Sequence, residues 1–441
     1  MRSVNQIVIP EYSKELVLQS VRDAQKDLLQ KEDGEKATAL DFYYHRNVDQ
    51  HIDKWFSSST LEMVPSYPQK IVPRMARARN LIFKKPPKRT ISGEVNPDYN
   101  GLAHNLDTKA REATELTWLL RDLAFRSKWN EKRGRLEYDC IPFYKTYYIS
   151  GETEPFGISY EISRDKNMDR IFVFWSDDLH FKYTQGGKIL RINDDDINPY
   201  GKLPFTFSHV NQGAEDVIRA AIQIGIASTE IALAERFSFG QPVLSGYTGD
   251  SKLQLGIDRI LMLDSDSSFS FAGNPGSLKD MIEVVKNFAD QTAINNHLRI
   301  RWADSGGNPP SGEALKVLEL ENIETRQSEL PLWLEWEKDR YAIDRRIIEV
   351  HTGKSFSEDY AVDFEEVSFP KSDQEVRDSW KWKFENNLAT REDYFRWENP
   401  DISDEDLEKK LGEIDESKKI EKEAEAPPAF GGLRKLGTIS A

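Results

Sequence analysis

Hydrophobic positions along this chain change period several times, and each change marks a boundary between helical and extended segments. Residues 12–31 place apolar positions at helical spacing among charges, and 37–57 repeat the pattern with Phe42, Tyr43, Tyr44, Trp55 and Phe56. A third helical pattern spans Ile71 to Phe83. Pro86 and Pro87 should stop it, since proline lacks a backbone donor and biases its predecessor toward extended structure. Residues 107–129 predict a strong amphipathic helix with Ala113, Leu116, Leu119, Leu120 and Leu123 on one side. The period then shortens to two. Runs at 136–149, 156–163, 170–175 and 179–192, punctuated by Gly, Asp and Asn, predict a small antiparallel sheet. Asn198 to Pro204 reads as a turn into a last strand, Phe205 to His209.

Helical spacing returns from Gly213 to Phe237. Residues 220–229 carry no charge, so this helix should be buried on several sides. Gly-punctuated β-like pieces follow at Pro242–Tyr247, Ile257–Asp264 and Phe269–Ala272. Pro275 and Ser277 open another helix, with Leu278, Met281, Ile282, Val285, Phe288 and Ala289 on one face. A β insert is thereby bracketed by two helices. The loop Asp304 to Lys316 leads into a helical stretch, Gly312 to Thr352, that Pro331 should kink. Residues 361–369 predict a strand, and 372–388 and 403–418 short helices. From Lys419 the composition turns to Lys, Glu and Ala, then Pro, Gly and Ser, as in disordered tails. The order of elements gives an α+β fold class.

Charge is distributed unevenly over the 441 residues. Residues 1–150 hold 25 Lys and Arg against 20 Asp and Glu, whereas 301–441 hold 21 against 34, within a net charge of −15. The cations concentrate in Lys70, Arg74, Arg77, Arg79, Lys84, Lys85, Lys88 and Arg89, a window without one carboxylate. Such a window is either a solvated surface or a nucleic-acid contact. The acidic whole argues against tight static DNA binding, which depends on phosphate neutralisation. Val217 to Ala234 contains Arg219, Gln223 and Glu230, so no membrane span is expected there, and the first thirty residues lack the apolar core of a signal peptide. The lone Cys140 cannot form an internal disulfide, which fits a reducing compartment and a small core side chain.

Candidate chemistry is sparse. Gly307 and Gly312 have the spacing of a phosphate-binding loop, but Glu313 stands where that loop needs Lys and would repel phosphate. The seven histidines show no ligand spacing, and Asp194–Asp196 and Asp264 with Asp266 lack the Gly and closing Glu of a calcium loop. No catalytic grouping, metal or cofactor is expected.

Several motifs, in order, resemble the portal proteins of tailed bacteriophages over most of the chain. They are Tyr43-Tyr44 in an early helix, Ile71 to Phe83 followed by Lys85-Pro86, and Asn198 to Phe207 ahead of a long helix. Ser311-Gly312-Glu313-Ala314-Leu315-Lys316 is similar to the segment where the family's tunnel loop enters its central helix. Asn399 to Glu405 resembles a turn of the family's crown helices, departing at Asp406, where the family has Glu.

The resemblance implies a portal fold: wing 1–212, stem helices 213–237 and 275–298 around a small β-containing clip 238–274, and tunnel loop 299–311. A kinked central helix with a returning wing strand would fill 312–371, helical crown 372–418, and a disordered tail 419–441. It implies a ring, commonly of about twelve subunits, at one capsid vertex. Double-stranded DNA would pass through it, and the terminase large subunit, head–tail adaptor, scaffold and major capsid protein would be partners. The protein would be a non-enzymatic part of the virion, assembled in the host bacterial cytoplasm.

Residues of the stem interface would be Ala221, Ile222, Ile224, Ile226, Met281, Val285 and Phe288, and those of the clip Gly240, Pro242, Tyr247, Asp258 and Asp264. The channel loop would offer Arg299, Arg301, Trp302, Asp304, Ser305, Gly306, Gly307, Asn308, Pro309, Pro310 and Ser311. Either Arg301 and Trp302 touch the passing DNA, or Arg299 and Arg301 pair with acidic residues of the neighbouring stem while Trp302 packs at the interface. The alternative from another class is a metal-dependent nucleic-acid enzyme with the basic window 70–89 as its DNA face. A third is a connector or minor head protein without a central channel.

Overall fold

A strand hidden inside the strongest helical pattern organises this α+β molecule. The computed structural model describes residues 6–23, 31–164, 169–190, 196–236, 241–245, 268–272, 278–300, 317, 319–366, 373–399 and 402–424. The chain forms two compact units, Met1–Gly306 with Val317–Val367, and Gly307–Lys316 with Ser368–Ala441.

The first unit opens with β1 (Gln6–Ile9) and α1 (Lys14–Asp23), followed by α2 (Lys31–Tyr44), α3 (Val48–Asp53), α4 (Ser58–Met63) and α5 (Ile71–Arg79). The single helix expected at 37–57 is divided between α2 and α3, because His45 and Asn47 take positive φ of 53° and 54°. α5 stops short of Phe83. The Asn80 side chain accepts from the Phe83 N–H and donates to the Arg111 carbonyl, fixing the turn before either proline is reached.

β2 (Lys88–Ile91), α6 (Pro97–Leu102) and α7 (Leu106–Leu120) come next. The helix expected through residue 129 ends at Leu120: Arg121 takes φ 71°, and Asp122–Asn130 is β3. Side chains alternate across a strand, and here Leu123 and Phe125 enter the largest core while Ala124 enters a separate one. The run 136–149 divides into β4 (Arg135–Ile141) and β5 (Lys145–Ile149), with Pro142 between them. β6 (Gly157–Arg164), β7 (Arg170–Ser176), β8 (His180–Thr184), β9 (Ile189–Leu190) and β10 (Phe205–His209) complete the series.

Two sheets replace the single expected one: β1-β5-β6-β7-β8-β9, in which β1 runs parallel to β5, and β10-β3-β4. After them come α8 (Glu215–Arg236), β11 (Gln241–Ser245), β12 (Ser268–Ala272) and α9 (Leu278–Asn295). α10 (Leu320–Thr352) then packs on β3 and β10, and β13 (Tyr360–Asp363) pairs antiparallel with β2. Pro331 lies inside α10 without ending it, since both Pro331 and Gln327, whose carbonyl loses its donor, are exposed.

α10 buries charge as well as Trp333, Trp336, Ile343 and Ile347. Arg340, fully buried, donates to Glu337 at 2.6 Å, to the Tyr99 hydroxyl at 2.7 Å, to the Tyr360 hydroxyl at 3.1 Å and to Asp344. Arg89 reaches Glu337 from β2 at 2.7 Å, and the Tyr99 and Tyr138 hydroxyls donate to Asp344, each at 2.8 Å. These bonds tie α6, β4, α10 and the β2–β13 pair to one another.

The second unit contains α11 (Asp373–Glu385), α12 (Arg391–Glu398) and α13 (Asp404–Ala424). α12, absent from the sequence expectation, starts with a capping box of Thr390 and Asp393. The Trp380 ring lies 5.2 Å from Tyr394 and 5.6 Å from Trp397. Asp406, which departs from the portal motif, accepts from the Ser403 hydroxyl while its own N–H donates back, capping α13. Residues 419–424, assigned to the tail, continue α13; residues 425–441 lie outside the described residues.

Candidate functional site

α8 and α9 form an antiparallel hairpin whose far end carries the β11–β12 ladder. At its base Asn296, one residue past α9, donates to Asp216 in the first turn of α8 at 2.9 Å, and Arg121 pairs with Glu215. At the other end the Ser245 and Ser268 hydroxyls are 2.7 Å apart across the ladder. At 1.5 Å per residue the helices are roughly 33 and 27 Å long.

One face of α8 is occupied by this chain itself. Val217 and Ala221 are buried in the main core, where α8 meets α2, α3 and α5, and Ile224, one turn on from Ala221, is buried as well. A Cβ on Gly225 would collide with Ile52 of α3, and the Thr229 hydroxyl accepts from the Tyr67 N–H at 3.0 Å and donates to the Gly225 carbonyl at 2.8 Å. The uncharged run 220–229 therefore follows from burial within one protomer. Ala221, expected at a subunit contact, belongs to this intrachain core, Ile224, expected there too, is buried within the chain, and Ile222 and Ile226 pack partly buried against the core. By length and composition Glu215–Glu235 could also cross a membrane, with 33% of that window buried. Its Val217–Ala221–Ile224 face, engaged by three helices, is that of a core helix.

α9 has the one broad apolar face that the sequence suggested, and the rest of the chain covers only part of it. Ala289, Thr292 and Ala293 are buried against the rest of the unit. Val284 and Phe288, on the flank of that face, are each 49% exposed, with half-buried Met281 beside them. Val285 turns toward the buried side and Ile282 remains exposed. Sequence reasoning missed Val284; its spacing of four from Phe288 was the available signal.

Of the expected clip residues, Pro242 sits in β11 opposite Phe271 of β12, and Gly240, Tyr247, Asp258 and Asp264 lie outside the described residues. Of the expected loop, Arg299 is exposed two residues past His297, and Arg301, Trp302, Asp304, Ser305, Gly306, Gly307, Asn308, Pro309, Pro310 and Ser311 lie outside the described residues.

The basic window is sorted by the fold. Arg79 pairs with Glu329 at 2.8 Å, Arg89 with Glu337 at 2.7 Å and Asp107 at 2.6 Å, and Lys85 with Glu365 at 2.9 Å. Lys70, Arg74, Arg77, Lys84 and Lys88 are exposed with no ion pair among the described residues. Lys70 and Arg74 border a groove of about 760 Å3 between α5, α8 and α9, whose apolar lining includes Ile71, Met75, Ile231 and Val285.

Several other titratable groups have structural partners. His180 stacks on Trp175, and burial with Arg126 and Lys182 nearby pulls its imidazole down to about 3, keeping it neutral. His351 stacks on Trp129 and pairs with Glu131 at 2.9 Å. Burial pushes the Cys140 thiol well above its ordinary range, so it carries no thiolate near neutrality. Among the described residues no three His, Cys, Asp or Glu converge as a metal site.

No family model matches the chain, and no curated protein matches it. Among solved structures, that of an HK97 family phage portal protein from Corynebacterium diphtheriae is similar over 70% of this chain and 94% of that one, with 9% identity and a TM-score of 0.33. No residue role is carried across from it.

Proposed function

We propose that this chain is a portal protein of a tailed bacteriophage. About twelve copies would form a ring at one capsid vertex, the passage for double-stranded DNA during packaging and ejection. α8 and α9 would be the stem, the β11–β12 segment part of the clip that docks the terminase large subunit and later the head–tail adaptor, and α11–α13 the crown. Scaffold and major capsid protein would surround the ring. The role is structural, with no catalytic residue, cofactor or metal assigned and no membrane partner.

The observation that carries this reading is the uncovered flank of α9's apolar face. Val284 and Phe288 expose large side chains beside residues already packed within the chain, as a helix that also meets a neighbouring subunit requires. Among the described residues the β11–β12 ladder has two strands, whose edges a neighbour's strands can pair with. The ordered sequence motifs point the same way. Arg79, Lys85 and Arg89, consumed in intrachain pairs, weaken the case for a DNA face over all of residues 70–89.

Native mass spectrometry with negative-stain imaging tests the proposal. A closed ring with a central hole is expected from the full chain, and Phe288→Asp should yield folded protomers that no longer close it. A monomer or dimer that persists when capsid and scaffold proteins are co-expressed would sink the reading. Chelator-sensitive nuclease activity in that species would favour the enzyme alternative.

A further inference from the structure

We propose that the groove between α5, α8 and α9 docks an acidic, amphipathic segment of a partner protein. Its apolar floor, within about 760 Å3, accommodates roughly two or three large aliphatic side chains. Exposed Lys70, Arg74 and Arg299 stand around it against one carboxylate, Glu235, in its described lining. α5 and its N-cap set Lys70 and Arg74 one turn apart, and Met75, on the helix between them and the core, contributes to the lining.

The chain carries a net charge of −15, so a local excess of cations attracts an acidic ligand that the rest of the molecule repels. A phosphate backbone would match the cations but offers little to the apolar floor. A neutral apolar helix would fill the floor and leave the cations without partners. A segment with apolar residues at i, i+4 and i+7 and carboxylates on its flanks satisfies both. Steering then comes from charge and residence from burial, which makes binding salt-dependent without being purely ionic. This inference stands apart from the portal reading, since the groove lies within one protomer.

The test uses the full chain and a fluorescent helical peptide of about 15 residues with Leu at i, i+4 and i+7 and Glu elsewhere. Saturable binding is expected by anisotropy at low salt. Lys70→Glu combined with Arg74→Glu should weaken it about tenfold, the positions being exposed and the fold checked by circular dichroism. Ala232→Trp, which fills the floor without altering charge, should weaken it as well. Binding indifferent to both variants overturns the proposal. So does a duplex DNA oligonucleotide that binds more tightly than the peptide and ignores Ala232→Trp. A change of oligomeric mass on Arg74→Glu would assign the groove to contacts between copies and overturn it equally.

Discussion

Arg340 sits where a core would ordinarily place a hydrophobe, with Glu337 and Asp344 on the same face of α10 and no exposure for any of the three. Burial opposes ionisation of Glu337, yet Arg340 and Arg89 together outweigh it and hold the carboxyl at about 2. A depressed carboxyl contributes stability that is present above its unfolded value, near 4.5, and is lost as pH falls toward 2. Stability should therefore drop between pH 5 and 2, by up to roughly 3 kcal/mol for this group, and Glu337→Gln should flatten that part of the profile. Arg340→Met should cost about 3–5 kcal/mol, because it strands Asp344 in the core and takes one of its two cations from Glu337. Gly225 poses a different problem. Alanine there gains roughly 1 kcal/mol of helix propensity, but its Cβ would meet Ile52, which is fully buried and cannot swing away. Overpacking of about 1–3 kcal/mol should win, so Gly225→Ala lowers the melting temperature.

In the proposed ring, the two helices of the hairpin would separate folding from assembly. Ile224→Asp buries a charge in the protomer's own core and should leave little soluble folded chain, whereas Phe288→Asp should spare the fold; comparing their circular dichroism distinguishes the faces. The sequence revealed both helices to within a few residues, because their apolar runs are long and bounded by Gly or Pro. It did not reveal which apolar side faced which neighbour, since burial within a chain and burial between chains leave the same composition. β3 was lost for a related reason. Leu123 falls on the helical stripe that begins at Ala113, and the two-residue alternation through Phe125 and Ser127 is only a few residues long. The division of α2 from α3 was likewise illegible, resting on positive φ at His45 and Asn47, which hydrophobic spacing does not encode. The β10 strand and the β6–β8 meander were legible because short alternating runs were separated by turn residues.

Across the whole molecule, an acidic chain is asked to meet its own copies. Each copy brings a net charge of −15, most of it in residues 301–441, so like charges oppose association at long range. The face proposed to make contact, with Met281, Val284 and Phe288, is apolar and gains nothing from low salt. Raising ionic strength from about 0.02 to 0.2 M shortens the screening distance from roughly 20 Å to below 10 Å. Repulsion then fades while apolar burial is retained, so the fraction in rings should rise with salt at fixed protein concentration. An interface held mainly by ion pairs would respond in the opposite direction. Sedimentation velocity across that range decides between them. Rings that dissolve as salt rises would move the contact away from the outer face of α9 and toward charged residues elsewhere on the chain.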